Sequence, residues 1–257
     1  SILKREFQFL YGCKPLLKLI FISDLHLSPA TPKHNQLFFE LLSKWQGQID
    51  GLYILGDFFD YWLGDDDDNY FISAIRTQLK QFSLHTPIYL RGGNHDFAVG
   101  KKFAKQCGMQ LIPDMHTLKV AGNTILLSHG DTFCTLDVGY QKMKRILQNP
   151  LVMFILRKIP LKLRYKLKES LENKSHATTN SKPDYHYMVV NESVINYATQ
   201  ANANIIIHGH THRPGNYSLT DKNATIIQRY EIPDWQDRAP GGNQINIIEH
   251  DNITRNN

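Results

Sequence analysis

Five apolar runs, each of strand length and each stopping at metal-binding side chains, constrain this chain more than any other feature. LKLIFIS (residues 17–23) runs into Asp24-Leu25-His26, and GLYIL (51–55) into Gly56-Asp57. PIYLR (87–91) leads to Gly92-Gly93-Asn94-His95-Asp96, NTILLS (123–128) to His129-Gly130-Asp131, and NIIIH (204–208) to Gly209-His210-Thr211-His212. The runs show little polar alternation, the pattern of strands covered on both faces. Asp24, Asp57, Asn94 and His129 are 33, 37 and 35 residues apart, each step about one strand–helix–strand unit. KHNQLFFELLSKW (33–45) and NYFISAIRTQLKQF (69–82), between the first strands, carry apolar residues at helical spacing. This alternation predicts an α/β layered core. Later, NATIIQRYEI (223–232) and NQINIIEHDNI (243–253) read as strands without a helix between them. The architecture is therefore a mixed sheet or a sandwich of two sheets.

The 257 residues are 42% hydrophobic, enough for a real core and too apolar for disorder. The net charge of +5 is local. Tyr140 to Lys174 holds ten Lys or Arg against two acidic residues, a net +8, which leaves about −3 for the rest. This segment also interrupts the strand spacing, since His129 and His210 are 81 residues apart. NPLVMFILRKIPLKLRYKLKESLENK (149–174) is both apolar and cationic, as expected of amphipathic helices that cover a site or rest on an interface. Cys13, Cys107 and Cys134 form no disulfide or zinc-finger pattern and fit a reducing compartment. Every apolar stretch is too short or too interrupted to span a bilayer, and the N-terminal one leads into a motif rather than a cleavage site. A cytoplasmic protein, at most peripheral to a membrane, is expected.

Open α/β sheets bind ligands beyond the carboxyl ends of their strands, so the five ends can converge on one site. Together they offer Asp24, His26, Asp57, Asn94, His129, His210 and His212: two carboxylates, four imidazoles and one amide oxygen. Seven donors exceed one four-coordinate ion and suit two that share a carboxylate. The absence of thiolate disfavours structural zinc, and mixed N/O donors suit Mn²⁺, Fe²⁺ or Zn²⁺. Two such ions roughly 3.5–4 Å apart can activate water and clamp phosphoryl oxygens during in-line displacement. The acidic run at 64–69, GDDDDN, reads instead as helix capping and favourable helix-dipole placement. No nucleophilic Ser or Cys motif and no phosphate-binding glycine loop is present.

The series DLH, GDFFD, GNHD, SHGD and GHTH, across residues 18 to 214, resembles that of the calcineurin-like metallophosphoesterases. The resemblance implies a sandwich of two mixed sheets flanked by helices, with a dinuclear metal centre at the strand ends. It places Asp24, His26, Asp57 and His212 on one metal. Asp57 bridges to a second, held by Asn94, His129 and His210, and His208 has no ligand role. LYILGDFFDYWLGDDD, GKKFAKQCGMQLIP, HGDTFCTLDVGYQ, HGHTHRP and RYEIPDW are further similar to the UDP-2,3-diacylglucosamine pyrophosphatases of lipid A biosynthesis. That similarity implies Mn²⁺-dependent cleavage at the α-phosphorus, giving UMP and 2,3-diacylglucosamine 1-phosphate. It also implies one domain over 1–257 with a helical lid inserted at 135–190, and a location against the inner membrane of a Gram-negative bacterium. Substrate contacts then fall on Asn94, His95, Asp137, Tyr140, Ser175, Thr179, Lys182 and His210, with His95 and Asp57 catalytic.

Two positions depart from that pattern: His95 stands where the lipid A enzymes carry Arg, and Glu172 where they carry Arg before the lid serine. An imidazole can protonate a leaving oxygen as well as stabilise charge, whereas Arg does only the second. The alternative is the same centre acting on another nucleotide, nucleotide sugar or phosphoester. The partners expected are a lipidated sugar nucleotide and an anionic membrane surface met by the basic lid, with no nucleic acid. A non-catalytic binding protein would be expected to have lost a ligand, and all seven are present.

Overall fold

The structure is a computed structural model and describes residues 17–120, 122–179, 187–235, 244–247 and 253–256. Four of the sequence-read runs pair side by side. They are β1 (Leu19–Ile22), β2 (Gly51–Leu55), β3 (Ile88–Arg91) and, farther along, β10 (Gln244–Ile247). With β4 (Gln110–Leu111) and β11 (Ile253–Asn256) they build a six-stranded sheet in the order β11-β10-β1-β2-β3-β4. β1 to β4 run parallel, and β10 and β11 form an antiparallel edge. The stretch 243–253, read as one strand, thus contributes to two.

The second sheet has the order β5-β6-β7-β9-β8. Its strands are β5 (His116–Val120), β6 (Asn123–Leu127), β7 (Ile205–His208), β8 (Gly215–Thr220) and β9 (Ile226–Glu231). Its centre, β6-β7-β9, is parallel, and both its edges are antiparallel. The fold is therefore a sandwich of two mixed sheets, one of the two architectures the C-terminal strands left open.

Side-chain alternation explains why the strands look apolar throughout. In the first sheet Ile20, Ile22, Leu52, Ile54, Ile88 and Leu90 face a helical layer. Leu19, Phe21, Tyr53 and Leu55 face Ile125, Leu127, Ile205 and Ile207 of the second sheet. The helical layer is α1 (Pro32–Trp45), α2 (Tyr70–Phe82) and α3 (Lys101–Cys107). α1 starts at a proline, which lacks the N–H that a first turn leaves unpaired, and buries Phe38, Leu41, Leu42 and Trp45 at i, i+3, i+4 and i+7. On the far side of the second sheet, α7 (Asn191–Ala201) sets Val194 and Ala198 against Leu126 and Ile206. Cys107 and Cys134 are buried free thiols.

Between a 3₁₀ turn at Asp131–Phe133 and α7 come α4 (Val138–Leu147), α5 (Pro150–Lys158) and α6 (Leu161–Thr179). Neither α4 nor α5 has a fully buried residue. α6 is held instead by the acidic run, whose members do four different jobs. Asp65 accepts the N–H groups of Gly100 (2.8 Å) and Phe103 (3.0 Å) at the start of α3. Asp66 pairs with the buried Arg164, whose Nε also donates to Ile159 O at 2.9 Å, and Asp67 accepts the Tyr165 hydroxyl at 2.5 Å. Asp68 pairs with Arg76 at 2.8 Å, and Asn69 caps α2 through Ile72 N at 3.0 Å. Capping is thus half of the account; the other half is a polar brace for α6. Among the described residues, no helix is long and apolar enough to cross a membrane.

Candidate metal centre

The five strand ends meet at one edge of the sandwich. The first sheet contributes the turns after β1, β2 and β3, and the second those after β6 and β7. Backbone bonds lace these turns together: Asp24 N donates to Gly56 O, and His26 N to Asp57 O, both at 3.0 Å. Side chains capable of holding a cation fall into overlapping groups with ligand atoms within 4.8 Å of one another: Asp24, His26 and His212; His26, Asp57 and His95; Asp57, His129 and His210. Asp57 joins them, with Oδ2 at 3.8 Å from His26 Nε2 and 3.5 Å from His129 Nε2. Asn94 Oδ1 is 2.8 Å from His129 Nε2, and His210 Nδ1 is 3.1 Å from the same atom. All seven candidates from the sequence are thereby brought together. His208 is not among them: it is fully buried, with Nδ1 donating to Gly209 O at 2.8 Å.

The donor set fits divalent cations. His129 Nδ1 donates to Leu55 O at 2.9 Å, so Nε2 carries the lone pair and looks into the cluster. There it meets further acceptors, an arrangement that repels itself unless a positive charge lies between them. Asp24 Oδ1 and His26 Nε2 are buried and make no hydrogen bond. Without a metal the positive charge is a proton. Burial opposes charge on His129, but Asp57 and Asp24 outweigh it and push it up to about 10. Burial and the charged His129 push His210 down to about 4. Against its own burial, the charges of His129, His95 and His26 hold the Asp57 carboxyl well below the usual range.

The turns that carry these groups are strained. Asp24, His26, Asp57, His210 and His212 all have φ between 47° and 80°, where non-glycine residues cost of order 1–3 kcal/mol each and persist only if their surroundings over-determine them. Asp96 is one such support. Fully buried, it accepts N–H groups from Gly93 (2.6 Å), Phe58 (2.9 Å), Asp57 (3.2 Å) and Phe59 (3.2 Å), clasping the turn after β2 to the turn after β3. Within GNHD the residue pattern alone assigns Asp96 no role. Its signal was available, since a short carboxylate in a strand-end turn is a ready acceptor for backbone N–H groups. A Cβ on Gly93 would collide with Asp57 Oδ1, and one on Gly209 with Asp24 Oδ2, so both turns need glycine.

His95 sits at the exposed mouth. Its N–H donates to Asp57 Oδ1 at 2.9 Å, its Nδ1 to Asp60 O at 2.6 Å, and its ring meets His26 edge-on at 4.9 Å. Tyr140, from α4, lies over His210 with ring centroids 6.3 Å apart and donates to Asp131 Oδ2 at 2.5 Å. Burial and Asp131 keep that phenol protonated far above its ordinary range. Asp137 caps α4 through Tyr140 N at 3.0 Å. Ser175 and Thr179 fall within the span of α6, but their side chains, like that of Glu172 and the whole of Lys182, lie outside the described residues. α5 and α6 form an open groove of about 580 Å³ lined by Ile155, Ile159, Leu163 and Leu167 together with Lys158 and Lys166.

The chain is similar in sequence to known proteins over most of its length. The UDP-2,3-diacylglucosamine hydrolase of Ectopseudomonas mendocina (strain ymp) is 41% identical over 218 residues, 84% of this chain and 90% of that protein. The one from Pseudomonas aeruginosa (strain UCBPP-PA14) is 38% identical over 220 residues, 85% and 91% of the two chains. That of Psychromonas ingrahamii (strain DSM 17664 / CCUG 51855 / 37) is 36% identical over 222 residues, 86% and 90%. A family model described as Calcineurin-like phosphoesterase matches residues 17–214. That match begins just before β1 and ends two residues past His212, taking in every strand end of the centre, and the chain belongs to the calcineurin-like phosphoesterase family.

Proposed function

We propose that the chain is a dinuclear-metal hydrolase that cleaves the pyrophosphate of UDP-2,3-diacylglucosamine at the α-phosphorus. Water adds to that phosphorus, UMP is released, and the bond broken is to the oxygen that leaves with 2,3-diacylglucosamine 1-phosphate. The observation that carries this reading is a strand-end ligand set met, through Tyr140 over His210, by a helical segment whose large apolar residues are exposed. The names of relatives aligned over most of both chains support the substrate.

In this reading Asp24, His26, Asp57 and His212 hold one ion, and Asp57, Asn94, His129 and His210 the other, with Mn²⁺ as the metal. The ions supply Lewis acidity and an activated water nucleophile. His95, tied back through Nδ1 to Asp60 O, keeps Nε2 free; in the imidazolium form that atom gives its proton to the leaving oxygen or steadies charge on the phosphoryl group. Asn94 and His210 meet the phosphates from the same turns. Asp137, Tyr140, Ser175, Thr179 and Lys182 are the residues assigned to the sugar nucleotide in this reading, within a lid spanning 135–190 of one domain of 1–257. The lid's apolar residues take the acyl chains, and its cations rest on the anionic face of the inner membrane.

A second reading, the same centre on a different phosphoester, is favoured by His95 and Glu172 at positions where the lipid A pattern has Arg. The assay that separates the two uses metal-stripped protein with Mn²⁺ added back, acting on UDP-2,3-diacylglucosamine in mixed micelles, with UMP resolved from UDP. Manganese-dependent UMP release is expected. No release, with turnover of bis-(p-nitrophenyl) phosphate intact, would overturn the lipid substrate and leave the second reading.

A further inference from the structure

The two imidazoles contributed by the turn after β7 both sit in left-handed backbone, His210 at φ 80° and His212 at φ 55°. Strain of this kind relaxes unless a neighbour forbids it. One neighbour is Asp24, whose Oδ2 accepts His210 N at 3.0 Å. The other comes from β9, which runs parallel to β7 with Glu231 in register with His208. Glu231 is 2% exposed, and its carboxylate reaches the turn that carries the two histidines at Thr211 and Arg213 rather than at the imidazoles. Its Oε1 accepts the Thr211 hydroxyl, between the two histidines, and Arg213 N at 3.2 Å, directly after them. Its Oε2 faces Arg229 Nη2 at 3.9 Å and His208 Nε2 at 4.0 Å. Arg229 is itself fixed, with Nη1 3.3 Å from Asn191 Oδ1 and its guanidinium 3.9 Å over the Tyr217 ring.

We propose that Glu231 is a positioning residue for the metal centre, holding the backbone of 211–213 so that His210 and His212 present their nitrogens together. This rests on the reading of those histidines as ligands. The carboxylate acts as a hydrogen-bond acceptor at Oε1 and through the turn, not on the metal or the substrate. Its packing against Arg229 raises a competing account, in which Glu231 serves only to neutralise a buried cation. The two accounts part on one substitution: Glu231→Gln keeps an oxygen acceptor of the same shape and loses the charge, while Glu231→Ala loses both.

The test is Mn²⁺ binding to the metal-stripped full chain, followed by the electron paramagnetic resonance of free Mn²⁺, with circular dichroism and thermal midpoint recorded without metal. Removing a group that orients a ligand typically weakens metal affinity about 10- to 100-fold. Glu231→Ala is expected to weaken one binding step by that factor, and Glu231→Gln by no more than about threefold, while its midpoint falls because Arg229 loses its partner. Thr211→Val, which removes one bond and leaves the charge pair, is expected to weaken binding by roughly three- to tenfold and covers the case in which Glu231→Ala does not fold. Wild-type affinity in Glu231→Ala or in Thr211→Val overturns the proposal. Equal loss in the Gln and Ala variants overturns it in favour of charge neutralisation. Failure of the wild-type chain to bind Mn²⁺ would bring down the metal centre itself, a result distinct from either.

Discussion

The metal centre and the helices from 138 to 179 solve opposite problems. The centre is polar, buried and strained, and each of its turns is clasped by hydrogen bonds from another element. The helices leave most of their large apolar residues outside, with Leu151 66% exposed and Phe154 59% exposed, although Met153 of α5 packs against the core, and α6 is braced through Arg164 and Tyr165. A cation site needs charged groups fixed before the ion arrives, because donors that must be ordered on binding cost affinity. A surface that receives flexible hydrocarbon needs exposed apolar area and freedom to move. Contiguous apolar surface on a folded chain marks such an interaction site. On the proposed reading, one chain thus separates rigid chemistry from adaptable substrate capture.

The sharpest way to break this comparison is at the centre. Asp57→Ala is expected to lower turnover on the order of 10³-fold or more and to reduce bound metal, counted by elemental analysis. His95→Ala, at the mouth, is expected to slow turnover about 10²- to 10⁴-fold with metal content unchanged. Two full metal equivalents in Asp57→Ala would refute its shared role, and unaltered turnover in His95→Ala would remove it from the mechanism.

The brace comes next in size. Arg164→Ala removes charge-assisted bonds worth about 1.5–3 kcal/mol, so hydrogen exchange across 161–170 is expected to quicken tenfold or more. Hydrolysis of the small bis-(p-nitrophenyl) phosphate should stay within twofold, while KM for the acylated substrate rises. Loss of both activities together would mean that α6 supports the body and the two regions are not separable.

The smallest effect sharpens the contrast in packing. Phe38→Ala, in the fully buried face of α1, is expected to cost about 3–5 kcal/mol in urea unfolding. Phe154→Ala on α5 is expected to stay within roughly 0.5 kcal/mol. A large penalty at Phe154 would show an apolar contact for that side chain that its exposure denies.

Legibility from sequence tracked the locality of the signal. Strands β1, β2, β3, β6 and β7 and helices α1 and α2 were readable because their apolar period is a property of neighbouring residues. The two-residue β4, the half-exposed β5 and the polar-rich β8 were not, because they exist through pairing with strands already in place. The seven ligand candidates were legible because strand ends in a parallel sheet share one edge. The roles of Asp96, Glu231 and Arg164 were not, since each works by reaching a backbone or side chain distant in sequence, and GNHD and RYEIPDW show that Asp96 and Glu231 are there without showing what they hold.

By itself the sequence determined that buried strands deliver two carboxylates, four imidazoles and an amide to a common edge, and that a basic apolar segment interrupts them. Residue chemistry and spacing suffice for that. Only the tertiary structure decided that the strands divide between two sheets, that His208 turns away while His210 and His212 turn in, and that four consecutive aspartates serve three different helices. Those outcomes depend on which partner a side chain meets across the fold, and hydrogen bonds and burial assign partners only once the chain has closed on itself.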